Sequence, residues 1–127
     1  MREILFRGKD EYGVWRYGLP MVYSEDFTVI TSPHAFDKTV IPDTVGQYTG
    51  LIDKNDTKIF EGDIVLDKYE CEKFGFAGIV IYVPKRSSFE IQNPKHPDYI
   101  ANLGARIDSV KVIGNIFDNP ELLERIG

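Results

Sequence analysis

Short runs of alternating apolar and polar residues, punctuated by Gly, Pro, Asn and Asp, dominate this chain. Residues 3–7 (EILFR) set Ile4 and Phe6 on one side and Glu3, Leu5 and Arg7 on the other, the period-two pattern of a short strand. Residues 8–13 (GKDEYG) are turn chemistry, and 14–19 (VWRYGL) resume the period with Trp15, Tyr17 and Leu19 on one face. Together these runs predict an opening hairpin. Pro20 has no N–H to give a ladder, so it marks an edge or a bend. Residues 21–23 and 27–31 flank Ser24-Glu25-Asp26 as a second hairpin, and 32–38 (SPHAFDK) read as a loop whose Ser-Pro step is extended.

The stretch 40–65 (VIPDTVGQYTGLIDKNDTKIFEGDIV) carries the densest signals. Val40-Ile41 enters as a strand that Pro42 ends, and the side chains of Asp43 and Thr44 are suited to bond nearby backbone N–H groups. Residues 48–52 and 57–60 form a hairpin around the polar turn 53–56, where Asn and Asp accept left-handed φ at a higher cost than Gly. Glu61-Gly62-Asp63 is a tight turn into Ile64-Val65-Leu66.

Beyond it, 67–78 (DKYECEKFGFAG) read as a polar, then Gly-rich loop. Residues 79–83 form a buried strand ended by Pro84, and 89–92 another. The two prolines of 93–97 (NPKHP) exclude regular structure there. Residues 99–109 fit either a strand broken at Gly104 or a short helix, and 110–117 form a strand. Asn119-Pro120-Glu121 then opens a helix over 120–126: Asn caps it, Pro takes the first helical position, and the acid suits the dipole. Leu122, Leu123 and Ile126 would dock it on the sheet. Many short strands with one terminal helix predict a single domain over 1–127. The expected fold is mainly β: a strongly curved antiparallel sheet, β-barrel-like, with a short C-terminal helix.

Composition narrows the function more than the fold. The chain has 127 residues, 43% apolar and 13% aromatic, which is globular and long enough for a substantial core. A net charge of −5, from 20 acidic and 15 basic residues, argues against a broad phosphate-binding surface. Cys71 is the sole cysteine, so neither an intramolecular disulfide nor a paired-thiol metal site can form, and a reducing compartment fits. The start, MREILFRG, lacks the apolar core of a signal peptide, and no apolar run approaches the roughly 20 residues that span a bilayer. A cytoplasmic protein without a membrane contact is expected.

Candidate chemistry is sparse. No catalytic residue, metal ligand or cofactor site is assigned. His34 and His96 sit beside prolines in loops with no ligand spacing. Cys71 lies between Glu70 and Glu72, which oppose thiolate formation. The best candidate for an interaction is Gly46-Gln47-Tyr48-Thr49-Gly50, in which two glycines bracket three side chains able to hydrogen-bond. The lack of a following Lys-Ser/Thr excludes a phosphate loop. The competing reading of the same residues is a strand bent at a sheet corner, with Tyr48 covering the core. Asp53 and Asp63, in the adjacent turns, complete the set of Gln47, Tyr48, Thr49, Asp53 and Asp63. Asp43, Asp53, Glu61 and Asp63 are the carboxylates that a hydrolase would pair. Tyr12, Trp15, Tyr17 and Tyr23, near Arg2, Arg7, Lys9 and Arg16, are the residues that would stack bases; at period two they also suit a strand core. Glu61-Gly62-Asp63-Ile64-Val65 followed by Gly78-x-Val80 is similar to the strand pair of SH3-like barrels, in which a Gly-Asp turn feeds one strand and a Gly-x-Val strand pairs back.

Four segments together resemble the YopX family of phage and prophage proteins. They are 2–8 (REILFRG) with the Trp15/Tyr17-Gly18 strand, 40–51 (VIPDTVGQYTGL), 53–65 (DKNDTKIFEGDIV) and 112–123 (VIGNIFDNPELL). The order and spacing cover the whole chain, while 66–109 match in outline only. Asp43 stands where the family usually has Glu, and Asn55-Asp56 where it has Asn-Gly; the second change disfavours a tight two-residue type I′ turn. The resemblance implies a mostly-β fold with barrel character and a phage or prophage setting. It implies no activity and transfers no catalytic residue. The expected function is a non-enzymatic accessory protein that binds another protein, of host or phage, or a second copy of itself. The alternatives are a nucleic-acid-binding barrel and a hydrolase using the acidic turns.

Overall fold

The β-rich, turn-rich pattern folds into strands joined by short loops and 3-10 turns. A computed structural model describes residues 2–33, 35–68 and 75–124. The chain divides into two compact units, Met1–Gly50 and Leu51–Gly127.

In the first unit, β1 (Phe6–Lys9), β2 (Trp15–Ser24), β3 (Phe27–Ser32), β4 (Ala35–Val40) and β5 (Gly46–Ile52) lie in the order β4-β3-β2-β1-β5, antiparallel throughout. β2 serves two partners in turn. Trp15–Gly18 pair with β1, and the pairing with β3 begins at Leu19↔Thr31. Gly18 stands at the change with φ +156°, and a Cβ there would lie 2.1 Å from the Thr31 carbonyl oxygen, so only glycine permits this approach. Pro20 follows, opposite Ile30 and past the last β1 pair, where its missing N–H breaks no β1 rung. Thr28, Ile30 and Val40 are buried on one face.

After β4, Pro42–Thr44 make a 3-10 turn. Ile41 donates its N–H to the Lys9 carbonyl (2.8 Å), Thr44 Oγ1 donates to the Ile41 carbonyl (2.6 Å), and the same hydroxyl accepts the Lys9 N–H (2.8 Å). The capping expected of Asp43-Thr44 thus falls to Thr44. These bonds bring the end of β4 to the end of β1, so the sheet is strongly bent. No ladder follows them, and the expected barrel does not close among the described residues: at Pro42 the chain leaves the strand for the 3-10 turn.

In the second unit, the end of β5 leads into β6 (Lys58–Phe60), the last strand of the first sheet's order. The second sheet has the order β10-β9-β8-β7-β11, built from β7 (Asp63–Asp67), β8 (Phe76–Val83), β9 (Ser88–Gln92), β10 (Ile100–Asn102) and β11 (Val110–Asn115). Ile59, Val65, Val80, Ile91, Leu103 and Val110 are fully buried in one cluster, and Ile64, Ala77 and Leu123 form a second. The expected pairing of the Gly-x-Val strand is present, with Val65↔Gly78 and Ile64↔Ile79.

Several boundaries differ from the sequence reading, each for a tertiary reason. β4 begins at Ala35 inside the expected loop because Ser32↔Ala35 and Ile30↔Lys38 pairing draws it into the sheet. β8 begins at Phe76, opposite Asp67. Both alternatives for 99–109 occur in succession, β10 and then a 3-10 turn over Gly104–Ser109. The C-terminal helix is instead a 3-10 turn, Pro120–Glu124. One turn is too short to offset helix nucleation, and Asn119 directs its Oδ1 back to the Asn115 N–H (3.3 Å) rather than forward as a helix cap. Leu123 still docks and is buried; Ile126 lies outside the described residues, as do His34 and Cys71.

Candidate interaction surface

The predicted site residues occupy two kinds of place. Gln47, Tyr48 and Thr49 are consecutive in β5. Gln47 pairs with Phe6, Tyr48 donates its N–H to the Leu5 carbonyl (2.8 Å), and Tyr48 is buried while Gln47 and Thr49 are half-buried. Alternation therefore turns Tyr48 to the core and Gln47 and Thr49 the other way. Gly50, at φ +87°, has open space where a side chain would stand.

Asp53 and Asp63 are buried in the second unit, at 4% and 2% exposure, and face backbone. Asp53 Oδ1 accepts the N–H groups of Asn55 (2.8 Å) and Thr57 (2.9 Å), and its Oδ2 accepts that of Val112 (2.8 Å). Burial pushes this carboxyl up, but the three N–H bonds and the charge of Lys54 outweigh it and hold it below its ordinary value. Asp63 Oδ2 accepts the Phe60 N–H (2.7 Å). Asp43 is exposed on the turn of the first unit. Among the described residues no group of three or more His, Cys, Asp or Glu is placed to hold a metal.

The Asp53 loop has a twin in the first unit. Asp10 Oδ1 accepts the N–H groups of Tyr12 and Val14, both at 2.9 Å, two and four residues on, as in the loop 53–57. Asp10 and Asp53 each donate their own N–H to the carbonyl four residues on, and their carbonyls accept an N–H from three residues on, Gly13 and Asp56. Those two residues are left-handed, at φ 82° and 63°. Both loops are three-residue connections with a left-handed closing residue rather than tight two-residue turns. Asp10 Oδ2 also takes the Arg16 guanidinium (2.9 Å). The Val14 N–H, against burial and together with Arg16 and the Tyr12 N–H, holds its carboxyl low.

What the sequence pattern missed is an exposed apolar face on the first unit. Tyr17, Leu19 and Met21 alternate along β2 toward one side, Tyr23 follows at an irregularity in the pairing with β3, and all four are exposed, at 50, 49, 46 and 58%. Tyr23 stacks on Phe27 with centroids 5.1 Å apart. The signal was available: 17–24 (YGLPMVYS) and 27–33 (FTVITSP) carry no charge, yet only one side of a sheet needs a core. The basic residues expected beside these aromatics are arranged differently. The Arg7 guanidinium is buried over the Trp15 ring, 4.6 Å from its centroid, and Lys9 Nζ lies 5.9 Å from the same ring.

In the second unit, Phe76 and 95–99 line an open depression of about 540 Å3, which joins the start of β8 to the loop 93–98. Phe76 stacks on Tyr99 (5.0 Å, 15°). The Tyr99 hydroxyl donates to Asp67, which is buried and also takes a two-pronged bond from Arg106 (2.9 and 2.8 Å). This cluster fixes the wall of the depression. His96 lines it with Lys95 and Asp98.

A family model described as YopX protein matches residues 17–124. The chain belongs to the YopX family. The match runs from Tyr17, within β2, to the Pro120–Glu124 turn, hence the exposed β2 face and the second sheet. The crystal structure of protein EF1440 from Enterococcus faecalis is similar to this YopX chain at 28% identity, covering 97% of this chain and 99% of that one, with a TM-score of 0.56. No curated protein matches the chain. No helix among the described residues is long and apolar enough to cross a membrane.

Proposed function

We propose that this YopX chain is a non-enzymatic accessory protein of a phage or prophage that acts in the cytoplasm by binding another protein. The observation that carries this reading is the exposed apolar face of Tyr17, Leu19, Met21, Tyr23 and Phe27, on two segments that carry no charge. Three rings about half exposed, each of roughly 200 Å2, leave about 300 Å2 of aromatic surface open. A patch of that size matches the largest on an ordinary monomer, and such patches often serve binding. Gln47 and Thr49 are the predicted residues retained as contacts, being half-buried on β5. Asp53 and Asp63 support the loops rather than a partner.

The reading is tested by nuclease-treated capture from cells carrying the prophage, with the natural chain beside Met21→Glu and Leu19→Glu. A specific protein recovered by the natural chain and lost with both variants supports it. Recovery unchanged by both variants refutes it. Retardation of single-stranded DNA or RNA at low salt, abolished by salt, would favour nucleic acid instead.

A further inference from the structure

β4 (Ala35–Val40) is the outermost strand of the first sheet. β3 pairs with one side of it, and among the described residues the sheet order places no strand on the other. An outer strand presents backbone N–H and C=O groups that another extended chain can pair with. Ala35, Phe36, Asp37 and Thr39 are all exposed, and Phe36 reaches 89%. Ile41, one residue beyond β4, is already bonded to Lys9, so the open part of the edge is 35–39.

A depression of about 320 Å3 opens at the end of this edge. Val40, Ile41 and Pro42 make its apolar part, Thr39 joins it to the strand, and the carboxylates of Glu11 and Asp26 line it. Glu11 and Asp26 are both exposed, and among the described residues no lysine or arginine lines the depression. A long basic side chain suits such a place, with its methylenes on Ile41 and Pro42 and its charge at the carboxylates.

We propose that the β4 edge docks an extended segment of a partner protein that carries lysine or arginine. The segment would add a strand beside 35–39 and place a basic side chain in the Glu11/Asp26 depression. Main-chain pairing supplies the hold and the depression supplies the selection. A second copy of β4 suits the edge less well. Directly opposite residues of an antiparallel pair share a face. In a two-fold pair the central registers therefore set Asp37 against Asp37, or Lys38 against Lys38, and like charges directly opposite destabilise. The proposal rests on the protein-binding reading but uses a different surface, which allows the two to fail separately.

The test uses the full chain, isotope-labelled, and a blocked heptapeptide alternating threonine and lysine, beside its threonine–glutamate counterpart. The expected result is amide shifts confined to 35–42 and to the loops holding Glu11 and Asp26, with the lysine peptide only. Glu11→Gln with Asp26→Asn should weaken that binding about tenfold, as two exposed ion pairs allow. Thr39→Pro should reduce it further by distorting the edge. Should Thr39→Pro disturb the fold, the double carboxamide variant, whose amide spectrum reports its integrity, decides alone. Met21→Glu should leave peptide binding unchanged, whatever it does to capture from cells. Equal shifts with the glutamate peptide, shifts centred elsewhere, or none at millimolar peptide would overturn the proposal.

Discussion

Asp53 Oδ2 accepts the backbone N–H of Val112 at 2.8 Å, across 59 residues of sequence. One carboxylate thereby closes its own loop and positions β11. Asp53→Ala leaves the N–H groups of Asn55, Thr57 and Val112 without their acceptor and should cost about 3 kcal/mol, since bonds to a charged group and stranded buried donors each carry roughly 1–3 kcal/mol. Asp53→Asn keeps one acceptor oxygen and should cost less. Urea denaturation followed by circular dichroism measures both. A loss below about 1 kcal/mol for the alanine variant would contradict this role.

Glu90 is buried and takes Arg86 through Nε (2.5 Å) and Nη2 (2.9 Å), and those bonds hold its carboxyl at about 2 against an ordinary 4.5. Asp53 is likewise held below its ordinary 3.8. Each contributes stability that is complete above the ordinary value and is lost as pH falls toward the folded one. The denaturation midpoint should therefore be insensitive to Glu90 and Asp53 above roughly pH 5 and decline with acid below it. Carbon-13 titration of the Glu90 carboxyl should find it ionised until near pH 2; a midpoint at its ordinary value would exclude the Arg86 effect.

Gly18 and Gly50 both have φ in the left-handed half of the map, at +156° and +87°, but only Gly18 is crowded. Gly50→Ala meets no atom and should lose about 1–2 kcal/mol from backbone strain alone. Gly18→Ala must push β2 from Thr31 and should lose more than about 3 kcal/mol. Paired denaturation curves test the order, and a Gly50→Ala loss equal to or larger than that of Gly18→Ala reverses it.

Asp56 closes its loop at φ 63°, where its twin has Gly13. Asp56→Gly removes the left-handed penalty while loosening the unfolded chain, for a net gain of about 0.5–1 kcal/mol. A calorimetric melting temperature at or below that of the natural chain would mean that the Asp56 side chain supports the loop.

Much of the strand content was legible because period-two alternation and turn residues are local. Pro42 ended β4, and Asn55-Asp56 announced a left-handed residue. What was not legible depends on contacts far along the chain. Ala35-Phe36-Asp37 carry no strand pattern and become β4 only through β3. Asn119-Pro120 has the grammar of a helix start, yet Asn119 turns its side chain back to β11. The interaction residues divided along the same line. The glycines around Gln47–Thr49 were visible, whereas burial of Asp53 and Asp63 required knowing that Val112 and Phe60 would come to them. The exposed face of β2 was hidden because an apolar alternation looks the same whether its partner belongs to the molecule or to another.

The twin loops make 10–14 and 53–57 interchangeable joints. Each is complete in five residues: a carboxylate at the first, a left-handed residue at the fourth, and a strand resumed at the fifth. The bonds that close each loop lie within those five residues, while the second carboxylate oxygen reaches outside them, from Asp10 to Arg16 and from Asp53 to Val112; loop length, the carboxylate and the left-handed residue are what the chain must keep there. Transplanting one into the other's place keeps every strand in register, whereas a single inserted residue would turn the inward face of the following strand outward.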